Sequence, residues 1–412
     1  MSEGLSASAV WTDPEPFDVL EAQRMHALVA IRETVAERRP LGGREDAFLS
    51  LYDDARRGDA HAFAQVWGAP AAHAWVRRTF DTLRSVLGSP GDERARDRLA
   101  DQLDAFGWFA LSLGHVADAD VELPRPLRVE APVGLPGTLV VAETSGDAQV
   151  RKLSDLSLAR SPVVSVEGAE VVLSPEALAV PGAVWDDVAA ALAAAPELST
   201  AHAGVVAEAL EAVATFSEAA FTQIRDHVDV VALQPDDAQK YPNASSSEFP
   251  GAVLLGASAD AFDLADHLIH EFAHNRLFAL EGMGGLLEDD ASDRYYSPWR
   301  DELRSMRGLV HGAYVFVYVF DYWRAVAEEA PRDDIGDRAR ENAARTVLEL
   351  RVAISQVRRH ARLTDFGRAV VQHVAARIDA MDGGSAKARA AVEAHLDRFD
   401  VERQVARNEI SF

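Results

Sequence analysis

The residues best suited to chemistry lie in the run His270-Glu271-Phe272-Ala273-His274. If this run is helical, His270 and His274 lie one turn apart on the same face, so both imidazoles can bind one metal ion. Glu271 then lies close enough to act on a molecule bound to that metal. A chance match on a solvated helix face is the alternative, but the run occurs where a metal helix is expected, in a predicted helix that follows an extended segment.

The third ligand decides what chemistry such a site supports. A zinc peptidase of this type would use another His six residues after His274 or a Glu on a following helix, with Glu271 as the general base. The sixth residue after His274 is Leu280. Glu281 and Glu288 remain possible, but they lie in or beside a Gly-rich segment where no second ligand helix begins.

His311 is the better candidate for the third ligand. It lies in an apolar segment whose polar residues fall in one helical stripe, His311, Tyr314, Tyr318 and Asp321. Burying this stripe costs free energy unless a metal and hydrogen bonds satisfy it. We also expect Tyr314 to contribute to a cofactor site. His267 and His274 are two turns apart, so a third ligand from the same helix would be strained. We therefore expect Asp266 and His267 to support the ligands or to be solvated.

Three histidines suit either a hydrolytic zinc site or a variant of the facial site of non-haem iron oxygenases. In the iron case three metal positions stay open, and two of them can chelate 2-oxoglutarate. Its distal carboxylate needs a cation, for which Arg is well suited. The loop before His311 contains Arg294, Arg300, Arg304 and Arg307. The alternative for these arginines is surface salt bridging with Asp301, Glu302 and the Asp289-Asp290 pair.

The periodicity of the chain indicates the elements that position these residues. Helical spacing covers Phe17 to Ala117, short β-branched runs occur from Leu123 to Ser174, and Trp185 to His227 is Ala-rich and helical. Val228 to Leu233 and Gly251 to Leu255 are predicted to be extended. Asp260 caps a helix that reaches about Leu280 and stops at the glycines 282, 284 and 285. Further helices are predicted over Leu309 to Ala325, Asp337 to Asp379 and Ser385 to Arg407.

This pattern predicts a mainly helical α+β protein in which the metal helix packs beside a small sheet, with helical N- and C-terminal regions. We expect an N-terminal helical region over residues 1–120, a segment of short strands and Ala-rich helices over 121–227, and a metal-binding catalytic domain over 228–412. The strand Gly251 to Leu255 could pair with an extended substrate peptide at its edge.

Composition excludes several functions. The chain has 412 residues with 66 acidic and 41 basic side chains, a formal charge of -25, which opposes binding to nucleic acids and anionic membranes. It has no cysteine, so a metal must be bound by nitrogen and oxygen. The segment Met1 to Pro16 lacks the features of a signal peptide, and Gly308 to Phe320 is too short to span a bilayer. We therefore expect a soluble, cytoplasmic protein.

The ordered motifs from Gly251 to Arg368 resemble those of the HEXXH motif-containing peptide modification proteins, which accompany ribosomally made peptide natural products and also occur fused to radical SAM maturases. The resemblance lies in Gly251-Ala252-Val253, His270-Glu271-Phe272-Ala273-His274, Tyr295-Tyr296-Ser297-Pro298-Trp299-Arg300, Gly308-Leu309-Val310-His311-Gly312-Ala313-Tyr314, Asp321-Tyr322-Trp323-Arg324 and Leu363-Thr364-Asp365-Phe366-Gly367. The family usually has Asp-Pro-Arg-Pro after the Trp-Arg pair. Here Asp301-Glu302-Leu303-Arg304-Ser305 keeps the Arg and lacks both prolines.

The resemblance implies an Fe(II)- and 2-oxoglutarate-dependent dioxygenase that hydroxylates a side chain of a precursor peptide at the β-carbon, alongside other peptide maturases as partners. It implies that His270, His274 and His311 bind iron and that Arg300 or Arg304 holds 2-oxoglutarate. Glu271 would then support the ligands or itself join them, rather than act in hydrolysis. The alternative is a zinc peptidase with Glu271 as general base. A third possibility is a partner in a maturation complex whose metal is structural.

Overall fold

The structure is a computed structural model that describes residues 15–119, 121–129, 133–143, 148–178, 195–234, 243–289, 294–329, 334–383 and 385–396. It is a mainly helical α+β protein, as predicted. The chain forms two compact units. The sheet unit comprises Phe17–Ala207 and His227–Ala259, and the helical unit comprises Met1–Pro16, Glu208–Asp226 and Asp260–Phe412. The three domains predicted from the sequence stay a prediction.

The sheet unit begins with a group of helices around an aromatic core. The helices are α1 (Glu15–Arg38), α2 (Asp46–Arg57), α3 (Ala60–Gly68), α4 (Pro70–Gly88), α5 (Glu93–Asp104) and α6 (Phe106–Val116). The rings of Trp67, Trp75, Phe106 and Phe109 are almost fully buried, and those of Trp67 and Phe109 stack with centroids 4.9 Å apart. Burial of such large rings dominates the stabilisation of this core.

Short strands follow in the same unit, as the β-branched runs predicted. They are β1 (Glu122–Val129), β2 (Val133–Gly134), β3 (Val140–Glu143), β4 (Ala148–Lys152), β5 (Ser157–Arg160), β6 (Val163–Val166), β7 (Ala169–Val172), β8 (Val230–Gln234) and β9 (Ala252–Gly256). Among these strands, β1 pairs with β4, β2, β3 and β5 form a second sheet, and β6, β7, β8 and β9 form a third in that order. The pair β8 and β9 is parallel, with Val230 opposite Ala252.

The outer edge of β9 is partly occupied by the chain itself. Leu254 and Ala244 exchange backbone hydrogen bonds of 2.8 and 2.9 Å. Because both backbone groups of Leu254 on this edge are paired, a substrate peptide would find less of the edge available than the sequence suggested.

Helices make up the helical unit and carry the residues of interest. The residues of α7 (Ala195–Phe216) from Glu208 onward belong to this unit and lead into α8 (Glu218–His227). The later helices are α9 (Ala261–Met283), α10 (Met306–Glu329), α11 (Asp334–His360), α12 (Asp365–Asp379) and α13 (Ala386–Leu396). Residues 185–194 and 397–407, for which helix was predicted, lie outside the described residues. Helix α10 packs against α9, α11 and α12 and is buried along most of its length. None of the helices in the described ranges combines the length and apolar character needed to cross a bilayer.

Candidate metal centre

Helix α9 places His270 and His274 together. Its start is fixed by Asp260, whose Oδ1 accepts hydrogen bonds from the backbone N–H groups of Phe262 at 2.9 Å and Asp263 at 3.0 Å. One turn separates the two imidazoles, whose ring centroids lie 5.0 Å apart. The helix therefore presents both rings in the arrangement that the spacing predicted.

His311 on α10 lies beside His274. Their Nδ1 atoms are 3.5 Å apart, and their rings lie at 28° with centroids 5.6 Å apart. Two imidazole nitrogens that each bind one ion at about 2.1 Å lie roughly 3.0–3.4 Å from each other. The observed separation is thus close to the one that a shared metal ion would impose.

Glu281 and Arg307 orient the His311 ring. His311 Nε2 is 3.1 Å from Glu281 Oε1, and Arg307 donates to both oxygens of the same carboxylate at 2.9 and 2.5 Å. Burial raises the pKa of Glu281, but the hydrogen bonds from His311 and Arg307 bring it down to about 2. Because an ionised carboxylate only accepts hydrogen bonds, Nε2 of a neutral His311 carries the proton and the Nδ1 lone pair faces His274.

This arrangement is typical of metal-binding histidines, which donate their other ring N–H to a carboxylate. The sequence left Glu281 open as a metal ligand, and the structure instead pairs it with the proposed ligand His311. Helix α9 continues to Met283, beyond the predicted end near Leu280, and the extra turn carries Glu281 into the helix.

His270, the remaining candidate ligand, packs against an aromatic ring. Its ring meets Phe316 edge-on at a centroid distance of 4.9 Å. Burial, with the charges of His267 and Arg300, lowers the pKa of His270 to about 3. Burial is also the main reason that the pKa of His274 is well below its usual value. Both rings are therefore neutral near pH 7, which is the form that binds metals.

The donor set fits Fe(II) or Zn²⁺, which both accept neutral imidazoles. Within the described residues no three His, Asp or Glu side chains are already arranged around one metal position. The structure brings His274 and His311 together directly, and His270 lies one turn away on α9.

Glu271 is buried next to this pair. Its side chain is only 5% exposed, and its Oε1 lies 4.0 Å from His270 Nε2. That distance is too long for a hydrogen bond. Glu271 is therefore close to a candidate ligand without being bonded to it in this conformation.

The loop that precedes α10 packs against the helix through an aromatic contact. Tyr295 and Arg304 exchange backbone hydrogen bonds of 2.8 Å, which closes the loop. At its tip Trp299 stacks on Phe316 with a centroid distance of 4.5 Å and an interplanar angle of 8°. A Cβ atom at Gly312 would lie 2.4 Å from Trp299 Cζ3, so only glycine allows the indole to pack here. This explains the glycine that follows His311.

The charges of two loop arginines lower the pKa of the imidazoles. After burial, the charge of Arg300 lowers the pKa of both His270 and His274, and the charge of Arg304 also lowers that of His274. The ion pair from Arg304 to Glu302 is long, at 3.9 Å, whereas Arg307 is held by Glu281. The salt bridges considered from the sequence form only in part.

Asp289 does not pair with these arginines. It forms an ion pair of 2.5 Å with Arg362, and its neighbour Asp290 lies outside the described residues. Asp301 lies 3.5 Å from His395. Arg294 is exposed. Arg300 and Arg304 are therefore the loop arginines whose charges are shown to act on the candidate ligands.

Arginines lie near the remaining polar residues of the α10 stripe. Tyr314 is 2% exposed, and its ring lies 5.2 Å from that of Tyr318. Burial raises the pKa of Tyr314, and the nearby charge of Arg276 opposes the rise. Asp321 forms an ion pair with Arg377. The ion pair satisfies Asp321 without a metal, and a cofactor role for Tyr314 stays a prediction.

Sequence reasoning missed the aromatic residues around the imidazoles. Phe278 lies 5.4 Å from the His311 ring and 6.1 Å from the His274 ring, and Phe316 contacts His270. The only signal for Phe278 was its position one turn after His274. Neither the protein-family models nor the curated proteins contain a match to this sequence.

Proposed function

We propose that this protein is an Fe(II)- and 2-oxoglutarate-dependent hydroxylase that oxidises the β-carbon of a side chain in a ribosomally synthesised precursor peptide. The observation that carries the proposal is the meeting of His274 and His311 at 3.5 Å, with the charges of Arg300 and Arg304 both acting on His274. The histidines supply metal ligands, and the arginines supply the cation that a dicarboxylate co-substrate needs.

The roles of the residues follow from their positions. His270, His274 and His311 would hold the iron, and Glu281 with Arg307 would keep the His311 lone pair directed at it. Arg300 or Arg304 would bind the distal carboxylate of 2-oxoglutarate. When bound, ferrous iron and 2-oxoglutarate supply the oxidising power, so that substrate, O₂ and 2-oxoglutarate give hydroxylated substrate, succinate and CO₂.

A zinc peptidase is the second candidate, and the buried Glu271 favours it. The carboxylate lies next to His270, as a base acting on zinc-bound water would. Against it, Glu281, the nearest carboxylate to His311, is already held by His311 and Arg307.

The test uses peptides encoded by short reading frames beside the gene, incubated with the protein, ferrous iron, 2-oxoglutarate and air. We expect succinate and a peptide heavier by one oxygen atom, both abolished in His274→Ala. Glu271→Gln should leave most of this activity. Cleaved peptide formed with zinc and without 2-oxoglutarate, and lost in Glu271→Gln, would establish the peptidase instead.

The arginine assignment has its own matched comparison. Arg300→Lys keeps the charge but loses the two-pronged geometry, so KM for 2-oxoglutarate should rise about tenfold with a smaller change in kcat. Arg294→Lys, the same change at an exposed position of the same loop, should have no effect. If Arg300→Lys is also silent and Arg304→Lys is not, the co-substrate is bound by Arg304.

A further inference from the structure

A cavity lies beside the candidate metal centre and has no role in the function proposed so far. Its volume is about 320 Å³, and its lining includes Asp266 of α9, Trp299 of the loop, Phe316 and Trp323 of α10, and Arg345 and Glu349 of α11. All of these residues belong to the helical unit. Three aromatic rings and two carboxylates therefore border one space.

Each carboxylate at this cavity is partly buried and incompletely neutralised. Asp266 Oδ2 accepts a 2.5 Å hydrogen bond from Trp323 Nε1. Glu349 is 13% exposed, and the nearest basic atom, Arg345 Nε, is 3.7 Å from its Oε1. Arg345 itself is 50% exposed. An ion pair of this length with a half-exposed partner leaves hydrogen-bond acceptors at Glu349 for another donor.

The remaining titratable residue of the lining is already engaged elsewhere. His395 Nδ1 is 2.7 Å from the Tyr296 hydroxyl, and its Nε2 is 3.5 Å from Asp301. The cavity therefore has two acidic groups, Asp266 and Glu349, against the single cation Arg345. A cationic occupant would pair with both carboxylates and offset the burial that favours their neutral forms.

The aromatic rings of the cavity favour an organic cation over a metal ion. Indole and phenyl rings attract organic cations and cover the aliphatic stem that carries them, whereas small hydrated metal ions prefer sites of many oxygens. Guanidinium and ammonium groups also donate strong hydrogen bonds to carboxylates. We propose that this cavity binds the basic side chain, Arg or Lys, of the substrate peptide. This proposal rests on the proposed function for its peptide, but cation binding in the cavity does not require the reaction.

The position of the cavity links it to the metal centre. The Phe316 ring lies 4.5 Å from Trp299 in the cavity wall and 4.9 Å from His270 in the metal centre. An extended peptide advances about 3.3 Å per residue. A basic residue held in the cavity therefore places a residue about three positions away at the metal centre, so that substrates carry Arg or Lys near the modified residue.

The binding test uses isothermal titration calorimetry on the full-length protein without iron. The probes are N-acetyl-arginine amide and N-acetyl-citrulline amide, which have nearly the same shape but differ in charge. We expect the arginine compound to bind at least about tenfold more tightly than the citrulline compound, the difference of one charge-assisted hydrogen bond. Equal affinities would overturn the proposal.

Variants locate the binding. Glu349→Gln should weaken the arginine compound about tenfold, whereas Arg345→Gln should strengthen it because a competing cation is removed. Glu341→Gln on the same helix, at an exposed residue paired with Lys387, should change nothing. An unchanged affinity in Glu349→Gln overturns the proposal. If that variant does not fold by circular dichroism, the sign of the Arg345→Gln effect decides, and weaker binding there overturns it.

Two further probes distinguish a peptide side chain from a free organic cation. Agmatine carries the guanidinium without a peptide backbone, and a peptide of alanines around one arginine carries it with one. Tighter binding of the peptide supports the proposal, whereas binding of agmatine alone contradicts the peptide assignment. Arginine binding without succinate formation would refute only the hydroxylase, and succinate formation without arginine binding would refute only this inference.

Discussion

Replacing Gly312 with Ala tests the packing that holds the arginine loop. The added Cβ would lie 2.4 Å from Cζ3 and 2.7 Å from Cε3 of Trp299, where ordinary carbon contacts are about 3.5–4.0 Å. The indole must therefore shift by about 1 Å and lose part of its stacking on Phe316. Such overpacking costs about 1–3 kcal/mol, and the better helix propensity of Ala returns about 1 kcal/mol. We expect a net loss of about 0–2 kcal/mol of stability.

The matched control is Gly204→Ala on α7. Beyond the helix's own backbone, no described atom lies within 4 Å of a Cβ placed there, so the variant should gain up to about 1 kcal/mol from helix propensity alone. Urea unfolding followed by circular dichroism measures both, and the two variants should differ by about 1–3 kcal/mol. The displaced loop should also raise KM for 2-oxoglutarate in Gly312→Ala only. If Gly312→Ala is as stable as Gly204→Ala and keeps a normal KM, the account of the Gly312 and Trp299 contact is wrong.

Three further predictions follow from individual contacts. Glu281→Ala removes the acceptor that orients His311, so Fe(II) affinity measured by anaerobic titration should fall about 10- to 100-fold, and an unchanged affinity would refute the role of Glu281. Burial, opposed by Arg345 and Trp299, raises the pKa of Glu349 from 4.5 to about 7, so the folded protein keeps a proton that the unfolded chain loses. Stability should thus fall as pH rises from about 4.5 to 7, and Glu349→Gln should gain roughly 2–3 kcal/mol over wild type across that window in pH-dependent urea melts; a constant difference would contradict this. Asp260→Ala should lower stability by about 1 kcal/mol through loss of the helix cap, and Asp260→Asn should retain most of it; equal losses would assign the effect to the Arg338 ion pair instead.

Much of the frame around the histidines could be predicted from periodicity and capping. Asp260 before an amphipathic run indicated the start of α9, and the apolar run around His311 indicated α10. The end of α9 was placed too early, near Leu280, because glycines 282, 284 and 285 indicate a stop, whereas the helix continues through Gly282 to Met283. Glu281 lies in the added residues, where the sequence suggested a possible metal ligand and not a partner of His311.

The contacts that organise the site are tertiary and leave no local signal. Glu281 and His311 are in contact although they are 30 positions apart in the sequence. Trp299, in the loop before α10, packs against Gly312. The carboxylates of Asp266 and Glu349 come from different helices and share a cavity only in the folded unit. Sequence spacing reports which residues share a face of one helix, but not which faces meet.

The central claim is that His274 and His311 bind the same metal ion. Anaerobic calorimetric titration of Fe(II) into wild type, His274→Ala and His311→Ala tests it directly, with His61→Ala at an exposed residue as the control. The account predicts one site in the wild type and in the control, with affinity at least about tenfold lower in both other variants. Wild-type affinity in His311→Ala would contradict it.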